Sequence, residues 1–271
     1  MILAFDAPGP SFRKELYPEY KANRPAPPMD LVPQFELIRH ASAAYGIPMV
    51  ESPGFEADDV IATLATQAHA QGLDVHILSG DKDLMQLITG PDVVPCIHMI
   101  DPMSMSRIAH AEVVEKWGVG PDLLGDVLAL AGDSADNIPG IPGIGPKIAS
   151  ALLCEYENLE NLLENAGNIK QKSRREKLIG FAHLARLSRA LVALEDAVPG
   201  IEQQTGNLSG LRTEPFDPDR ILAFYDEMQF KDVKRRFQNQ LQRGAPRKRP
   251  KSNKKEKTNV PRPEDFADVP F

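Results

Sequence analysis

The sequence predicts an α/β domain built on a mostly parallel sheet, followed by an α-helical lobe. Short apolar runs alternate with helix-periodic stretches as far as Trp117, and beyond it the pattern turns almost wholly helical. Two of the apolar runs end in carboxylates, where loops beyond the strands of such sheets gather functional groups.

Taken in order, Ile2 to Phe5 reads as a short buried strand ending in Asp6, and Pro8 to Pro28 as a loop rich in Pro, Arg and Tyr, expected to be mobile. Leu31, Phe35, Leu37, Ile38 and Ala41 fit a helix from Asp30 to Tyr45, followed after Gly46 by a strand from Ile47 to Val50. Glu56 to Ala70 is expected to be helical, Val75 to Leu78 a strand ahead of Asp81, and Asp83 to Leu87 a short helix. The helical lobe is read as helices over 121–131, 146–155, 158–165 and 174–195, with a last one over 219–238. This gives three segments: 1–118 for the α/β domain, 119–242 for the helical region, and 243–271 as a tail expected to be disordered.

A chain of 271 residues that is 42% apolar can bury a substantial core. No apolar run approaches the length of a membrane span, and the first residues stop at Asp6 before forming a signal peptide, so a cytoplasmic, nucleoid-associated location is expected. Cys96 and Cys154 lie far apart without metal-ligand spacing and read as reduced thiols; the six histidines form no HxH or HExxH pattern. The net charge of −7 is uneven. Residues 243–271 carry 9 basic and 4 acidic side chains, and the rest carries 22 basic against 34 acidic, a net −12. Such a body does not grip nucleic acid by charge alone unless it recruits divalent cations.

The acidic residues fall into four clusters: Asp6, Glu56-Ala57-Asp58-Asp59, Asp81-Lys82-Asp83 and Asp133-Ser134-Ala135-Asp136. Carboxylates at a helix N-terminus have a structural explanation in the helix dipole. Two of them one residue apart after a buried strand repel unless hydrated, paired or bound to cations. Hard oxygen donors suit magnesium or manganese, and two such ions about 4 Å apart can drive in-line hydrolysis of a phosphodiester. Gly140-Ile141-Pro142-Gly143-Ile144-Gly145-Pro146-Lys147 lies between two helices. Its glycines and following helix start offer backbone N–H groups to a phosphate, with Lys147 adding charge; the alternative is a plain helix connection with glycines for tight packing.

With Phe12 to Arg24, Gly54 to Asp59, Gly80 to Leu84 and Gly132 to Lys147 in this order, the chain resembles the 5′-nuclease family over residues 1–240. That family comprises flap endonucleases and the 5′→3′ exonuclease domain of bacterial DNA polymerase I. The resemblance implies a PIN-like α/β nuclease domain, N-terminally incomplete here, joined to a helix–three-turn–helix domain. DNA would lie across both, and a potassium ion is often bound at the hairpin. It implies two Mg2+ or Mn2+ ions, the first held by Asp6, Glu56, Asp58 and Asp81, the second by Asp81, Asp83 and Asp136, with Asp59 and Asp133 in outer positions. Arg13, Lys21 and Arg24 resemble the basic catalytic residues at the foot of the family's helical arch. Tyr17 and Tyr20 would either stack on a base or pack the loop. Gly140, Gly143, Gly145 and Lys147 would hold the DNA backbone.

Family members begin with a further strand ending in a metal-site Asp, which precedes the strand at residues 2–5. A start assigned too late is the favoured reading of its absence, over a fragment or a shortened chain. The tail ends in Asp265-Phe266-Ala267-Asp268-Val269-Pro270-Phe271, similar to the acidic C-terminal peptide of bacterial single-stranded-DNA-binding protein, and is expected to bind the same repair proteins or to be an unstructured end. The expected function is metal-dependent 5′→3′ exonuclease or 5′-flap endonuclease action on DNA with 5′ ends or flaps, in replication and repair. The alternatives are a branched-DNA-binding module without turnover and, third, a PIN-type ribonuclease.

Overall fold

The computed structural model describes residues 1–206, 208 and 210–242. In chain order the elements are β1 (Leu3–Ala4), α1 (Phe12–Leu16), α2 (Val32–Ala44), β2 (Met49–Val50), α3 (Ala57–Ala70), β3 (Val75–Leu78), a 3-10 turn (Asp83–Leu87), β4 (Ile97–Ile100) and β5 (Arg107–Ile108). The helices α4 (His110–Trp117), α5 (Pro121–Ala131), α6 (Pro146–Tyr156), α7 (Leu159–Glu164), α8 (Lys172–Gly180), α9 (Ala182–Val192), α10 (Ile201–Thr205), α11 (Pro218–Glu227) and α12 (Lys231–Gln242) follow. No helix is long and apolar enough to cross a membrane among the described residues.

The strands form two small sheets among the described residues, β1–β2 and β3–β4–β5, rather than one continuous parallel sheet. Within the second, β3 runs parallel to β4 with Val75 opposite Ile97, and β5 returns antiparallel. All four residues of β4 are buried, which fits a strand covered on both faces.

Two compact units result. Among the described residues, the larger comprises 4–28 and 50–211, the smaller 1–3, 29–49 and 212–242. The larger has one apolar core in which Leu84 and Met99 of the α/β part share a cluster with Leu124, Leu130, Leu153, Leu162 and Leu178 of the helical part. That core runs without a break across residue 118. The smaller unit closes around Ala44, Ile221, Phe224, Tyr225 and Phe237.

Local chemistry sets the helix ends that matter for the site. Glu56 and Asp59 make a reciprocal capping box at the start of α3. Pro121 and Pro146 occupy the first turns of α5 and α6, where a missing N–H costs nothing. The single helix expected over 174–195 is two, α8 and α9, divided at Phe181. The loop expected to be mobile is instead pinned over residues 11–24. It contains α1; Lys21 N–H donates to Asp136 O at 2.9 Å, Asn23 Nδ2 to Ser134 O at 2.6 Å, and Asn137 Nδ2 to Glu19 O at 2.7 Å. The basic tract and acidic tip of the tail lie outside the described residues.

Candidate active site: a carboxylate cluster laced with cations

The carboxylates of the four clusters all lie in the larger unit: Asp6 after β1, Glu56, Asp58 and Asp59 at the start of α3, Asp81 and Asp83 after β3, and Asp133 and Asp136 in the turn between α5 and the hairpin. Asp6 follows β1 and accepts the backbone N–H of Ala57 at 2.7 Å, which joins it to the α3 N-terminus beside Glu56 and Asp58. Asp58 is pushed up to about 7, first by burial and then by the neighbouring charges of Asp81, Glu56 and Asp83, against the pull of Lys21. Burial and Asp81 likewise raise Asp83. These carboxylates therefore share one field, and their mutual repulsion calls for positive charge.

That charge comes from the chain's own side chains. Lys21 Nζ lies 2.9 Å from Glu56 and 3.8 Å from Asp136, and Arg24 is ion-paired to Asp136. Lys82, which the sequence reading passed over, is ion-paired to Asp133 and lies 3.2 Å from Asp83. It stands inside the Asp81-Lys82-Asp83 string, and that alternation of charge was the signal for it. Tyr20 donates its hydroxyl to Glu56 at 3.0 Å and also reaches Asp136, and burial followed by those two carboxylates holds the phenol well above its usual range.

Several expected site residues are interior. Arg13 is 2% exposed and makes a two-pronged contact, 2.7 Å at each oxygen, with Asp59, which is 0% exposed. Burial opposes the Arg13 charge, but Asp59 outweighs it and keeps the guanidinium protonated. The remaining Arg13 donors reach Leu191 O and Ala193 O on the α9 side. Arg13 and Asp59 thus face each other in the interior, with Arg13 also 3.5 Å from Glu56. Tyr20 is 3% exposed, which removes base stacking for it, while Tyr17 is partly buried against the core.

In the hairpin, Gly140 has φ +58° and lies so close to Gly132 that an added Cβ would meet Gly132 N at 2.4 Å. Its N–H donates to Ser188 Oγ. Its glycine is explained by this close approach, and the residue is buried, unlike a backbone-binding position. Gly143 and Lys147 are exposed, Gly145 caps α6 with open space around it, and Lys177 of α8 reaches over Gly143.

Oxygen donors of this kind suit a divalent cation, and two observations test the fit. Asp58 resists ionisation because it is buried beside Asp81, Glu56 and Asp83, and the Lys82 ammonium marks a point where Asp83 and Asp133 converge on positive charge. In the present arrangement no three Asp, Glu, His or Cys side chains among the described residues are close enough to grip one ion. These oxygen donors suit such an ion in kind.

An α/β body with clustered carboxylates, continued by helices carrying a glycine hairpin, is the arrangement that the family resemblance implies. Residues 1–118 match the family model described as 5′-3′ exonuclease, N-terminal resolvase-like domain, and residues 119–219 that described as 5′-3′ exonuclease, C-terminal SAM fold. The chain belongs to the 5′-3′ exonuclease family. It is 49% identical over 236 residues to DNA polymerase I of Rhizobium leguminosarum, covering 87% of this chain and 22% of that protein. It is 36% identical over 243 residues to the thermostable DNA polymerase I of Thermus filiformis, covering 88% and 27%. The chain thus spans about a quarter of the length of the curated relatives it matches. Among solved structures, the T5 5′-exonuclease with bound divalent metal ions (zinc) superposes with a TM-score of 0.62 at 20% identity, covering 84% of this chain and 83% of that one. The bacteriophage T5 D15 flap endonuclease in a pseudo-enzyme-product complex with DNA and metal ions gives 0.61 at 20%, covering 84% and 82%. At that identity the likeness establishes the shared fold.

Proposed function

We propose that this chain hydrolyses phosphodiesters in DNA at 5′ ends or 5′ flaps, with divalent metal ions, during replication and repair. The observation that carries the reading is the gathering of Glu56, Asp58, Asp81, Asp83, Asp133 and Asp136 into one field held together by Lys21, Arg24 and Lys82. The T5 proteins, whose fold is shared, were solved with metal ions and with DNA.

In this reading Asp6, Glu56, Asp58 and Asp81 hold one Mg2+ or Mn2+, and Asp81, Asp83 and Asp136 the other. Bound ions supply an activated water and neutralise the leaving oxygen of the cleaved bond. The chain's own residues do the positioning. Lys21 and Arg24, with side chains 22% and 52% exposed, turn from Glu56 and Asp136 to the scissile phosphate. Arg13 and Asp59 fix the start of α3, from which Glu56 and Asp58 project. Gly143, Gly145 and Lys147 hold the DNA backbone, and potassium is the candidate ion there.

The test is cleavage of a 5′-flap substrate by the full chain in Mg2+, with Asp81→Asn expected to lower the rate at least a hundredfold. Intact cleavage by that variant would remove the assignment. A second reading, a branched-DNA-binding module without turnover, is favoured by the lack of any three converging ligands among the described residues. Flap binding in EDTA together with no cleavage in Mg2+ or Mn2+ would select it.

A further inference from the structure

Lys82 belongs to neither the carboxylate ligands nor the cations expected to meet a phosphate, yet it holds the most telling position in the cluster. It stands between Asp81 and Asp83, at the start of the 3-10 turn that follows β3. Its Nζ lies 3.2 Å from Asp83 Oδ1 and is paired more tightly with Asp133, which comes from the turn after α5. Asp83 Oδ1 is buried and has no well-aligned hydrogen-bond donor among the described residues, so the ammonium 3.2 Å away is its counter-charge. Two carboxylates from separate elements, 16% and 11% exposed as side chains, therefore converge on a single cation carried by a side chain that is 33% exposed.

A divalent ion gripped by Asp83 competes with that ammonium for the same lone pairs, and two like charges within one small site repel. The lysine can yield. Its charge rides on a flexible four-carbon stem, and its partial exposure leaves it a path to water. We propose that Lys82 is an internal counterion that holds Asp83 and Asp133 together in the metal-free protein and is expelled when a divalent cation enters, so that it sets the metal affinity of the site. This rests on the metal-dependent reading above and adds to it a positioning residue on Asp83. It also fits a cluster whose carboxylates, among the described residues, are organised around lysine and arginine.

The experiment uses the full chain without DNA and Mn2+ as the probe. In isothermal titration, Lys82→Met and the milder Lys82→Gln should each bind one Mn2+ about tenfold more tightly than the unsubstituted chain, a difference of about 1.4 kcal/mol. Unchanged or weaker binding in both would overturn the proposal. A second measurement needs no variant: acylation of lysines by an N-hydroxysuccinimide ester, read by mass spectrometry. Adding Mn2+ should raise labelling of Lys82 several-fold and leave Lys172, whose side chain is 79% exposed, unchanged. Equal or lower labelling of Lys82 would show that the ammonium stays in place, and the proposal would fail. If the unsubstituted chain binds no Mn2+ at all, the metal-dependent reading falls with it; Mn2+ binding that ignores Lys82 sinks only the counterion.

Discussion

At the scale of single residues, burial separates three basic side chains that the sequence treats alike. Arg13, Lys21 and Arg24 sit in one string and were expected at one foot of the site, yet Arg13 is sealed against Asp59 while Lys21 and Arg24 remain partly exposed. Asp59 also accepts the backbone N–H groups of Glu56 and Glu195, each at 3.0 Å, so all its lone pairs are engaged. Removing one partner of such a pair strands a buried charge, at a cost of about 3–5 kcal/mol. Arg13→Met should therefore lower the unfolding free energy by that amount in urea titrations, and a loss under about 1 kcal/mol would mean the pair is not closed. Lys21→Met should behave in the opposite way. Its ion pair is partly solvated and worth about 1 kcal/mol at most, so stability changes little while flap cleavage drops by a hundredfold or more. A Lys21→Met chain that cleaves normally would leave this lysine a structural role only. The carboxylate strings were legible in the sequence because their chemistry is local. Lys82 was legible in principle, but only as a charge between charges. The burial of Arg13 was not, since Leu191 and Ala193, which cap it, lie more than a hundred residues away.

At the scale of elements, helix positions were largely readable from periodicity and from proline and glycine punctuation, whereas sheet continuity was not. The same lack of long-range information hid the pinning of residues 11–24, whose partners Ser134 and Asp136 are fixed only by tertiary folding. Strand β4 shows how little its local string discloses: Ile97-His98-Met99-Ile100 reads as apolar with one histidine, and the structure buries that histidine at 4% exposure. His98 packs against His76 with ring centroids 4.2 Å apart and the planes tilted at 51°, and its Nε2 has no hydrogen-bond partner among the described residues. Burial first, then His76 and Arg107, lowers its pKa from 6.5 to about 4. The folded chain thus keeps His98 neutral where the unfolded chain protonates it. Protons favour the unfolded state between those values, so stability is complete above pH 6.5 and falls as the pH drops toward 4. At 1.36 kcal/mol per pH unit the loss is up to about 3 kcal/mol. His98→Leu should flatten this part of the profile in urea titrations across pH 4 to 7. Parallel curves for the two chains would show that His98 titrates normally.

At the scale of the whole molecule, the acidic excess and the folded core act against each other. Residues 1–242 carry a net −12, and the larger unit concentrates part of that charge in one cluster while its apolar core is a single body on both sides of residue 118. Like charges held together by folding oppose folding, and a ligand that binds only the folded cluster offsets them by mass action. Mg2+ at a hundred times its dissociation constant would contribute about 2.7 kcal/mol. At roughly 2–4 °C per kcal/mol for a chain of this size, the melting temperature should rise by about 5–10 °C over its value in EDTA. Sodium chloride at equal ionic strength should not reproduce the rise, because screening at a distance does not replace bound charge. Asp58 supplies the sharper form of the test, because burial and its neighbours already hold it at about 7. Replacing it by an isosteric neutral group removes repulsion together with a carboxylate that the proposed function assigns to a metal ion. Asp58→Asn should therefore melt above the unsubstituted chain in EDTA and gain less from Mg2+, so that the two curves converge or cross as the ion is added. Equal Mg2+ increments in both chains would place the stabilising ion away from Asp58.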